Sequence, residues 1–377
     1  MSSVERDPDL VEDDDALDEE MPRLRVTRRV LVLGVLFVVV TLAFLYFVLP
    51  QIAGLEDTWE RIEHGDPLWF AVALVFTILS FGGYVALFQY VYVSAGSRVD
   101  LRASYQITMA SLAATRVFAA GGAGGIALTA WALRRSGMGA RRVADTTIVF
   151  LSLTYIVYAA ALVIGGFGLY FGLLPGPGPI GVTLIPALFG LFAFAVFLLL
   201  ALVPTDVERR VRGWAQHHHT RPRVVRVLER LAAVPATVGV GVRETIDHLR
   251  DRNPSLLGSI AYWGFNIGVL WACFHAFGES PGWAVIVMGY FVGMIANLLP
   301  LPGGVGGVDG GMIGAFAAFG VDIGLATVAV LAYRGFAFWL PTIPGAIAYF
   351  QLRKTVRGWR SERAPQAAAE PHPPVLH

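Results

Sequence analysis

The chain reads Gly121-Gly122-Ala123-Gly124-Gly125 inside one long apolar stretch and Gly303-Gly304-Val305-Gly306-Gly307 inside another. A further glycine and an apolar residue follow each cluster at a similar distance, as Gly137-Met138 and as Gly320-Val321. We interpret the two stretches as an internal repeat. A glycine-rich break that recurs at membrane depth in corresponding positions of two halves is typical of a transporter's binding site.

The composition indicates an integral membrane protein. Hydrophobic residues make up 55% and charged residues 15% of the 377 residues, a balance that few soluble proteins have. The net charge of +1 hides an asymmetry, because the first 20 residues contain ten acidic residues and one arginine, which leaves 28 basic against 18 acidic residues in the rest of the chain. The single cysteine, Cys273, lies in an apolar stretch, so neither a disulfide framework nor a cysteine-based metal site is predicted.

Apolar stretches long enough to cross a bilayer, which takes about 20 residues, predict six full membrane spans. They are 30–49, 68–93, 145–172, 180–203, 256–277 and 323–351. Two further regions, 103–133 and 283–321, are equally apolar but contain the glycine clusters.

The distribution of arginines predicts which loops face the cytoplasm, since cytoplasmic loops carry the excess of basic residues. Arginines cluster before the first span and in the segments 98–102, 134–142, 205–255 and 353–360. If these basic segments lie in the cytoplasm, region 103–133 begins and ends on the cytoplasmic side, and region 283–321 begins and ends on the outer side of the membrane. Each is therefore predicted to be a re-entrant hairpin, and two short crossings are the alternative.

The predicted fold is an all-α polytopic membrane protein with about six full spans and two re-entrant broken-helix hairpins in an inverted repeat. Both termini are expected in the cytoplasm and the protein in the plasma membrane. The stretch 224–250 alternates basic and apolar residues and lacks interleaved aromatic residues, so an amphipathic helix on the anionic inner surface is predicted there and no nucleic-acid binding. The predicted segments are a disordered acidic tail 1–22, membrane repeat one 23–204, a basic cytoplasmic loop 205–255, the remainder of membrane repeat two 256–352, and a cytoplasmic tail 353–377. Repeat two begins with the span 180–203, before the basic loop.

Two arginines at membrane depth point to the function. Arg334 lies about 16 Å along its span at 1.5 Å per residue, where an arginine normally faces a partner or a cavity, and Arg116 directly precedes the first glycine cluster. Helix N-termini that follow glycine-rich breaks also attract anions. We predict an anion site at the bilayer centre. Its predicted substrate-binding residues are Arg116, Gly121, Gly122, Gly124, Gly125, Asn297, Pro302, Gly303, Gly304, Gly306, Gly307, Asp309 and Arg334.

Structural roles are open alternatives for these residues. The glycines could serve close helix packing, and Arg334 could form a buried ion pair with Asp309. Asp309 could cap the half-helix that follows the second cluster or couple transport to a proton or cation. No catalytic residue, cofactor or metal site is predicted.

The second-half motif resembles a known family. The run from Asn297 to Asp309, with Phe319-Gly320-Val321, Leu331 to Arg334 and Pro341 to Gly345, is similar to the transmembrane region of lysylphosphatidylglycerol synthases, the flippase-like family, over about 25–355. The resemblance implies a lipid flippase fold, as in the membrane half of the bacterial multiple peptide resistance factor, and for stand-alone members a link to envelope-lipid pathways. This chain has Asp309 where the family usually has glutamate and Ile126 where it often has an acid.

The functional hypothesis is translocation of an anionic phospholipid or a polyprenyl-phosphate-linked lipid across the plasma membrane, with membrane lipids and envelope-lipid biosynthetic enzymes as partners. Because no aminoacyl-transferase domain is recognised in the sequence, we expect a transporter and no enzyme. Two alternatives stay open: a secondary transporter of a soluble anion, and an integral-membrane transferase acting on lipid head groups.

Overall fold

The computed structural model describes residues 65–93, 98–117, 123–202, 238–251, 253–298, 304 and 306–369. Within these ranges every regular element is helical. Five helical segments of the described residues are long and apolar enough to cross a membrane. The acidic tail, the predicted span 30–49 and most of the basic loop lie outside the described residues.

The helices are numbered in chain order as follows: α1 Pro67–Tyr92, α2 Leu101–Val117, α3 Ala123–Ser136, α4 Ala140–Tyr170, α5 Leu184–Ala201, α6 238–250, α7 Ser255–Ala276, α8 Trp283–Ile295, α9 Gly307–Ala318, α10 Ile323–Arg334 and α11 Thr342–Ala369. Short 3-10 turns precede α5 at Ile180–Val182 and follow α8 at Ala296–Leu298. A π-helical turn, Gly335–Trp339, joins α10 to α11.

Five of the predicted spans coincide with the candidate spans of the structure. These are α1, α4, α5 with its preceding turn, α7, and the run from α10 into α11 up to Trp359. The last differs from the prediction in two respects. The segment 323–351 is not a uniform α-helix, and α11 continues to Ala369, beyond the predicted end at 351. The π-helical turn interrupts the segment directly after Arg334, and the Leu340 N–H donates to the Gly335 carbonyl, five residues back, at 2.9 Å.

Each glycine-broken region forms two helices that pack against one another, α2 with α3 and α8 with α9. The second helix of each pair is short, 14 residues in α3 and 12 residues in α9. At 1.5 Å per residue these helices are about 21 and 18 Å long, less than the roughly 30 Å hydrocarbon core of a bilayer. The geometry fits half-helices, and their re-entry on one side of the membrane stays a prediction.

The same local motif ends both half-helices. Gly137 after α3 and Gly320 after α9 have φ angles of 105° and 83°, which favour glycine. The next N–H group reaches back five residues in each case, from Met138 to the Leu133 carbonyl at 3.1 Å and from Val321 to the Phe316 carbonyl at 3.0 Å. This is a Schellman cap. The two repeats therefore share a glycine cluster before the half-helix and a glycine cap after it.

Small residues let α1 and α7 approach closely. A Cβ atom added to Gly258 would lie 2.7 Å from the backbone nitrogen of Leu87, and one added to Gly83 would lie 2.8 Å from the nitrogen of Tyr262. Such contacts through glycine are common where membrane helices associate. The start of α1 and the end of α7 are also joined by a hydrogen bond from the Asp66 N–H to the Ala276 carbonyl, at 2.9 Å.

Buried apolar side chains form two clusters at different levels of the bundle. One contains the first half of α1, the second half of α4 and residues of α7 to α10. The other contains the second half of α1, the first half of α4, and residues of α2, α3 and α11. Polar side chains in the middle of α1 and α4 fall between the clusters, and this level holds the candidate site.

Candidate anion site between the two repeats

A cavity of about 270 Å³ lies between the two apolar clusters. We call it the central cavity. Its walls come from α1, α2 and α4 in the first repeat and from α7, α8, α10, Gly304 and the π-helical turn in the second. The polar residues that line it are Tyr84, Thr115, Arg116, Thr154, Tyr155, Tyr262, Asn266, Tyr290, Asn297, Tyr333 and Arg334.

Arg334 is buried at the end of α10 and forms an ion pair with Asp309. The Nε atom lies 2.6 Å from the Oδ1 atom of Asp309, and the two side chains are 10% and 4% exposed. The guanidinium carbon also lies 4.3 Å from the centre of the Phe338 ring, within the range of a cation–π interaction. The ion pair that the sequence offered as an alternative role is therefore present, and Arg334 lines the central cavity at the same time.

Asp309 has a second role at the start of α9. Its Oδ2 atom accepts a hydrogen bond from the Gly306 N–H at 2.8 Å, the contact that an acidic residue in the third helical position makes with the capping residue. Capping and ion pairing thus coexist in one carboxylate. Because this carboxylate already occupies the N-terminus of α9, less of the helix dipole is available to a bound anion than the sequence suggested.

Arg116, at the end of α2, reaches across to the second repeat. Its Nη1 atom donates to the Phe338 carbonyl at 2.6 Å and to Thr342 Oγ1 at 3.0 Å, and its Nη2 atom donates to the Ala337 carbonyl at 3.0 Å. Both carbonyl groups belong to the π-helical turn. The ring of Phe338 lies 4.9 Å from the Arg116 guanidinium and also packs on Arg334, so both arginines contact the same aromatic side chain.

The charge of the site is positive. Within the described part of the chain, Arg116 contacts carbonyl, hydroxyl and aromatic groups but no carboxylate at ion-pair distance. The charged residues among the described lining of the central cavity are Arg116 and Arg334, and Asp309 balances the second of these. A buried site with one uncompensated guanidinium favours an anion, because fixed positive charge acts more strongly away from water.

The second glycine cluster shapes one wall of the central cavity. Gly304 lines it with a φ angle of 65°, and a Cβ atom there would collide with Oδ1 of Asn297. Gly306 has a φ angle of 80° and precedes Gly307, the first residue of α9. Four predicted residues thus lie around one space, namely Arg116, Asn297, Gly304 and Arg334. Pro302 and Gly303 lie outside the described residues.

The first glycine cluster has a different environment. Gly124 and Gly125 lie in the first turn of α3, and a Cβ atom on Gly125 would lie 2.6 Å from the Ser111 carbonyl oxygen of α2. This contact is the close helix packing that the sequence left open as an alternative. Gly125 lines a neighbouring cavity and not the central one. Gly121 and Gly122 lie outside the described residues.

A polar network behind the arginines was missed by the sequence reasoning. The Tyr333 hydroxyl lies 3.2 Å from the Tyr290 hydroxyl and 3.3 Å from Oδ1 of Asn266. The Asn266 amide also donates to the Ser80 hydroxyl and, at 3.2 Å, to the Tyr262 carbonyl. Asn266 in mid-span was the available signal, since a polar side chain there needs interhelical partners.

A large apolar groove flanks the central cavity. It has a volume of about 1130 Å³ and lies between α1, the start of α2 and the start of α11. We call it the lateral groove. Phe81 lines it, and the Phe81 ring lies 5.9 Å from the Arg116 guanidinium. Phe81 thus lines the lateral groove and contacts Arg116, which lines the central cavity.

The family model for the "Lysylphosphatidylglycerol synthase TM region" matches residues 31–345. The chain belongs to this family. The match to the lysylphosphatidylglycerol synthase TM region contains both glycine clusters and both arginines, and with the apolar helices it establishes a multi-pass membrane protein. The resemblance inferred from the second-half motif is confirmed.

Similar proteins of Methanothermobacter thermautotrophicus (strain Delta H) carry the description "UPF0104 membrane protein". One alignment is 23% identical over 319 residues and covers 79% of this chain and 90% of that protein. Two shorter alignments under the same description are 33% identical over 104 residues, covering 26% of this chain and 30% of the relative, and 30% identical over 174 residues, covering 44% and 52%. The descriptions support a membrane protein of the lysylphosphatidylglycerol synthase TM type and name no substrate.

Proposed function

We propose that this protein is a flippase that moves an anionic phospholipid or a polyprenyl-phosphate-linked lipid between the leaflets of the plasma membrane. The observation that carries the proposal is Arg116, a guanidinium without a carboxylate partner in the described residues that lines a cavity between the two repeats. The lipid phosphate binds between Arg116 and Arg334. Motion of one repeat against the other then exposes this site to each leaflet in turn.

The lateral groove favours a lipid over a soluble anion. A lipid needs a polar site for its head group and an apolar surface for its chains. Here Phe81 lines the apolar lateral groove and contacts Arg116, which lines the polar central cavity. A soluble anion would need no apolar groove. A head-group transferase would use paired catalytic groups, and Asp309 is held by Arg334 and by the start of α9.

The test is lipid translocation in proteoliposomes that contain the purified full chain. Acyl-labelled fluorescent phosphatidylglycerol is placed in both leaflets, and its accessibility to a membrane-impermeant quencher is followed over time. We expect Arg116→Gln to slow translocation at least tenfold, because it removes the uncompensated charge and keeps a hydrogen-bonding side chain. Arg353→Gln is the matched control, since Arg353 is exposed near the end of the α11 span and its charge lies outside the central cavity.

A wild-type rate in folded Arg116→Gln protein would overturn the assignment of the site. Gradient-driven uptake of radiolabelled phosphate into the same liposomes, without movement of any lipid, would instead identify a soluble-anion transporter. Phosphatidylcholine supplies the reference rate for a lipid without net negative charge.

A further inference from the structure

A second cavity opens beside the central one and has a different chemical character. It has a volume of about 180 Å³ and lies between α1, α2, α3 and α4. Tyr84, Leu112, Thr115 and Tyr155 line both cavities, so the two spaces are adjacent along a shared wall. We call the second one the hydroxyl cavity.

Residues that carry a hydroxyl group are the main polar component of the lining of the hydroxyl cavity. More than half of its lining residues are serine, threonine or tyrosine, and none of its described lining residues is charged. Several of these hydroxyls are paired with one another or with the backbone. Ser111 Oγ and Thr129 Oγ1 lie 2.8 Å apart, and the Tyr92 hydroxyl donates to Thr147 Oγ1 at 3.1 Å.

Thr108 differs from its neighbours. It is 3% exposed, and its Oγ1 atom has no hydrogen-bond partner within the described residues. A buried hydroxyl without a partner costs about 1–3 kcal/mol relative to a paired one, and Thr108 lines the hydroxyl cavity. A ligand hydroxyl in this cavity would supply the missing partner once the Thr108 side chain rotates to turn its enclosed Oγ1 atom towards the cavity.

From this arrangement we propose that the hydroxyl cavity binds an uncharged polyhydroxyl head group, a glycerol or a sugar, that is attached to the phosphate held by Arg116 and Arg334. The inference rests on the proposed flippase function and narrows its substrate to anionic lipids with a neutral polyol head. The volume equals about six water molecules at roughly 30 Å³ each, which accommodates a three-carbon polyol or one sugar ring. Each hydroxyl of such a group both donates and accepts, as do the side chains around it.

A cationic aminoacyl head group fits this cavity poorly. Burying an ammonium group is costly without a carboxylate partner. The described lining of both cavities contains no carboxylate, and the nearby Asp309 is engaged by Arg334. Aromatic faces of Tyr84 and Tyr155 would have to offset both the desolvation of the ammonium and its repulsion by Arg116.

The test compares acyl-labelled lipids that share one tail and differ in head group. Phosphatidic acid, phosphatidylglycerol, phosphatidylinositol and lysylphosphatidylglycerol are each followed in proteoliposomes of the full chain. We expect phosphatidylglycerol or phosphatidylinositol to move at least fivefold faster than phosphatidic acid, and lysylphosphatidylglycerol to move no faster than phosphatidic acid.

Variants of the cavity wall make the test specific. Thr108→Val keeps the shape of the side chain and removes the unpaired hydroxyl, so the variant should fold at least as stably as the wild type while the ratio of polyol lipid to phosphatidic acid falls at least threefold. The double variant Ser111→Ala/Thr129→Val removes a hydrogen-bonded pair together and should lower the same ratio. Thr327→Val is the matched control, because Thr327 is buried, its hydroxyl is bonded to the Ile323 carbonyl, and it lines neither cavity.

The outcomes separate this inference from the function on which it rests. Equal rates for phosphatidic acid and the polyol lipids, with both slowed by Arg116→Gln, would reject the polyol site and leave the flippase in place. The polyol site would also be rejected if both cavity variants kept the wild-type ratio of polyol lipid to phosphatidic acid, or if lysylphosphatidylglycerol moved faster than phosphatidic acid. If none of the four lipids moves above the rate of protein-free liposomes, the flippase proposal itself fails.

Discussion

At the scale of single residues, the buried pair of Arg334 and Asp309 carries the sharpest energetic consequence. Replacing Arg334 by glutamine leaves the Asp309 carboxylate buried without its cation, and breaking a buried pair in this way costs about 3–5 kcal/mol. We expect Arg334→Gln to lower the melting temperature of the detergent-solubilised protein strongly. The double variant Arg334→Gln/Asp309→Asn removes both charges and keeps an acceptor for the Gly306 N–H, so most of that loss should be recovered.

A double-mutant cycle measures the coupling directly, because residues in contact deviate from additivity by up to about 3 kcal/mol. Additive effects of the two single substitutions would show that the ion pair contributes nothing to folding. The same variants then separate stability from transport. If the double variant is stable but inactive in lipid translocation, the positive charge of Arg334 is needed for the substrate beyond its role in the pair.

At the scale of an element, the start of α9 depends on glycine at one position and not at another. Gly304 has a φ angle of 65° and no room for a Cβ atom beside Asn297, so Gly304→Ala combines backbone strain of about 1–2 kcal/mol with a steric clash. Gly310 lies within α9 with open space around its Cα atom. There alanine should stabilise the helix by up to about 1 kcal/mol.

Thermal unfolding of the two variants in the same detergent tests this contrast. We expect Gly304→Ala to melt below the wild type and Gly310→Ala to melt at or above it. Equal melting temperatures for the two would mean that the left-handed conformation of Gly304 is not required for the break between α8 and α9.

The same element shows how far the sequence reaches. Apolar length predicted the spans formed by α1, α4, α5 and α7 within a few residues, because crossing a bilayer is a one-dimensional constraint that each segment meets alone. The partners of Arg116 could not be predicted in this way. Its acceptors include the carbonyl groups of Ala337 and Phe338. These two residues belong to a π-helical turn, where the sequence suggested an uninterrupted helix. The hydroxyl cavity likewise depends on four helices meeting, and no single helix contains its pattern.

At the scale of the whole molecule, the predicted inverted repeat determines on which side of the membrane each loop lies. If region 103–133 is a re-entrant hairpin, residues before α2 and after α3 lie on the same side of the membrane, in the cytoplasm. If region 283–321 is one too, residues before α8 and after α9 both lie outside. Two short crossings would also return the chain to the side on which it started, whereas a single crossing in either region would place its ends on opposite sides.

Single cysteines at exposed positions distinguish a region that returns to the side where it began from a region that crosses the membrane once. The native Cys273 has no exposed surface and should not react with a membrane-impermeant maleimide, so the wild type serves as the background. In intact cells or right-side-out vesicles, we expect cysteines at Glu279 and Ile323 to be labelled, and cysteines at Arg102 and Ala140 to be labelled only after the membrane is opened. All four positions are exposed on the protein surface.

The two repeats have opposite orientations only if both pairs of positions behave as expected, Arg102 with Ala140 inside and Glu279 with Ile323 outside. Labelling of Arg102→Cys and Ala140→Cys from opposite sides would replace the first hairpin by a single crossing and place the following helices, including α4, in the reverse orientation. Arg116 and Arg334 would then still share a cavity, but the repeats would no longer be related by inversion, and alternating access by exchange of two equivalent halves would lose its geometric basis. Paired labelling on one side in each region is therefore the outcome that the transport mechanism requires.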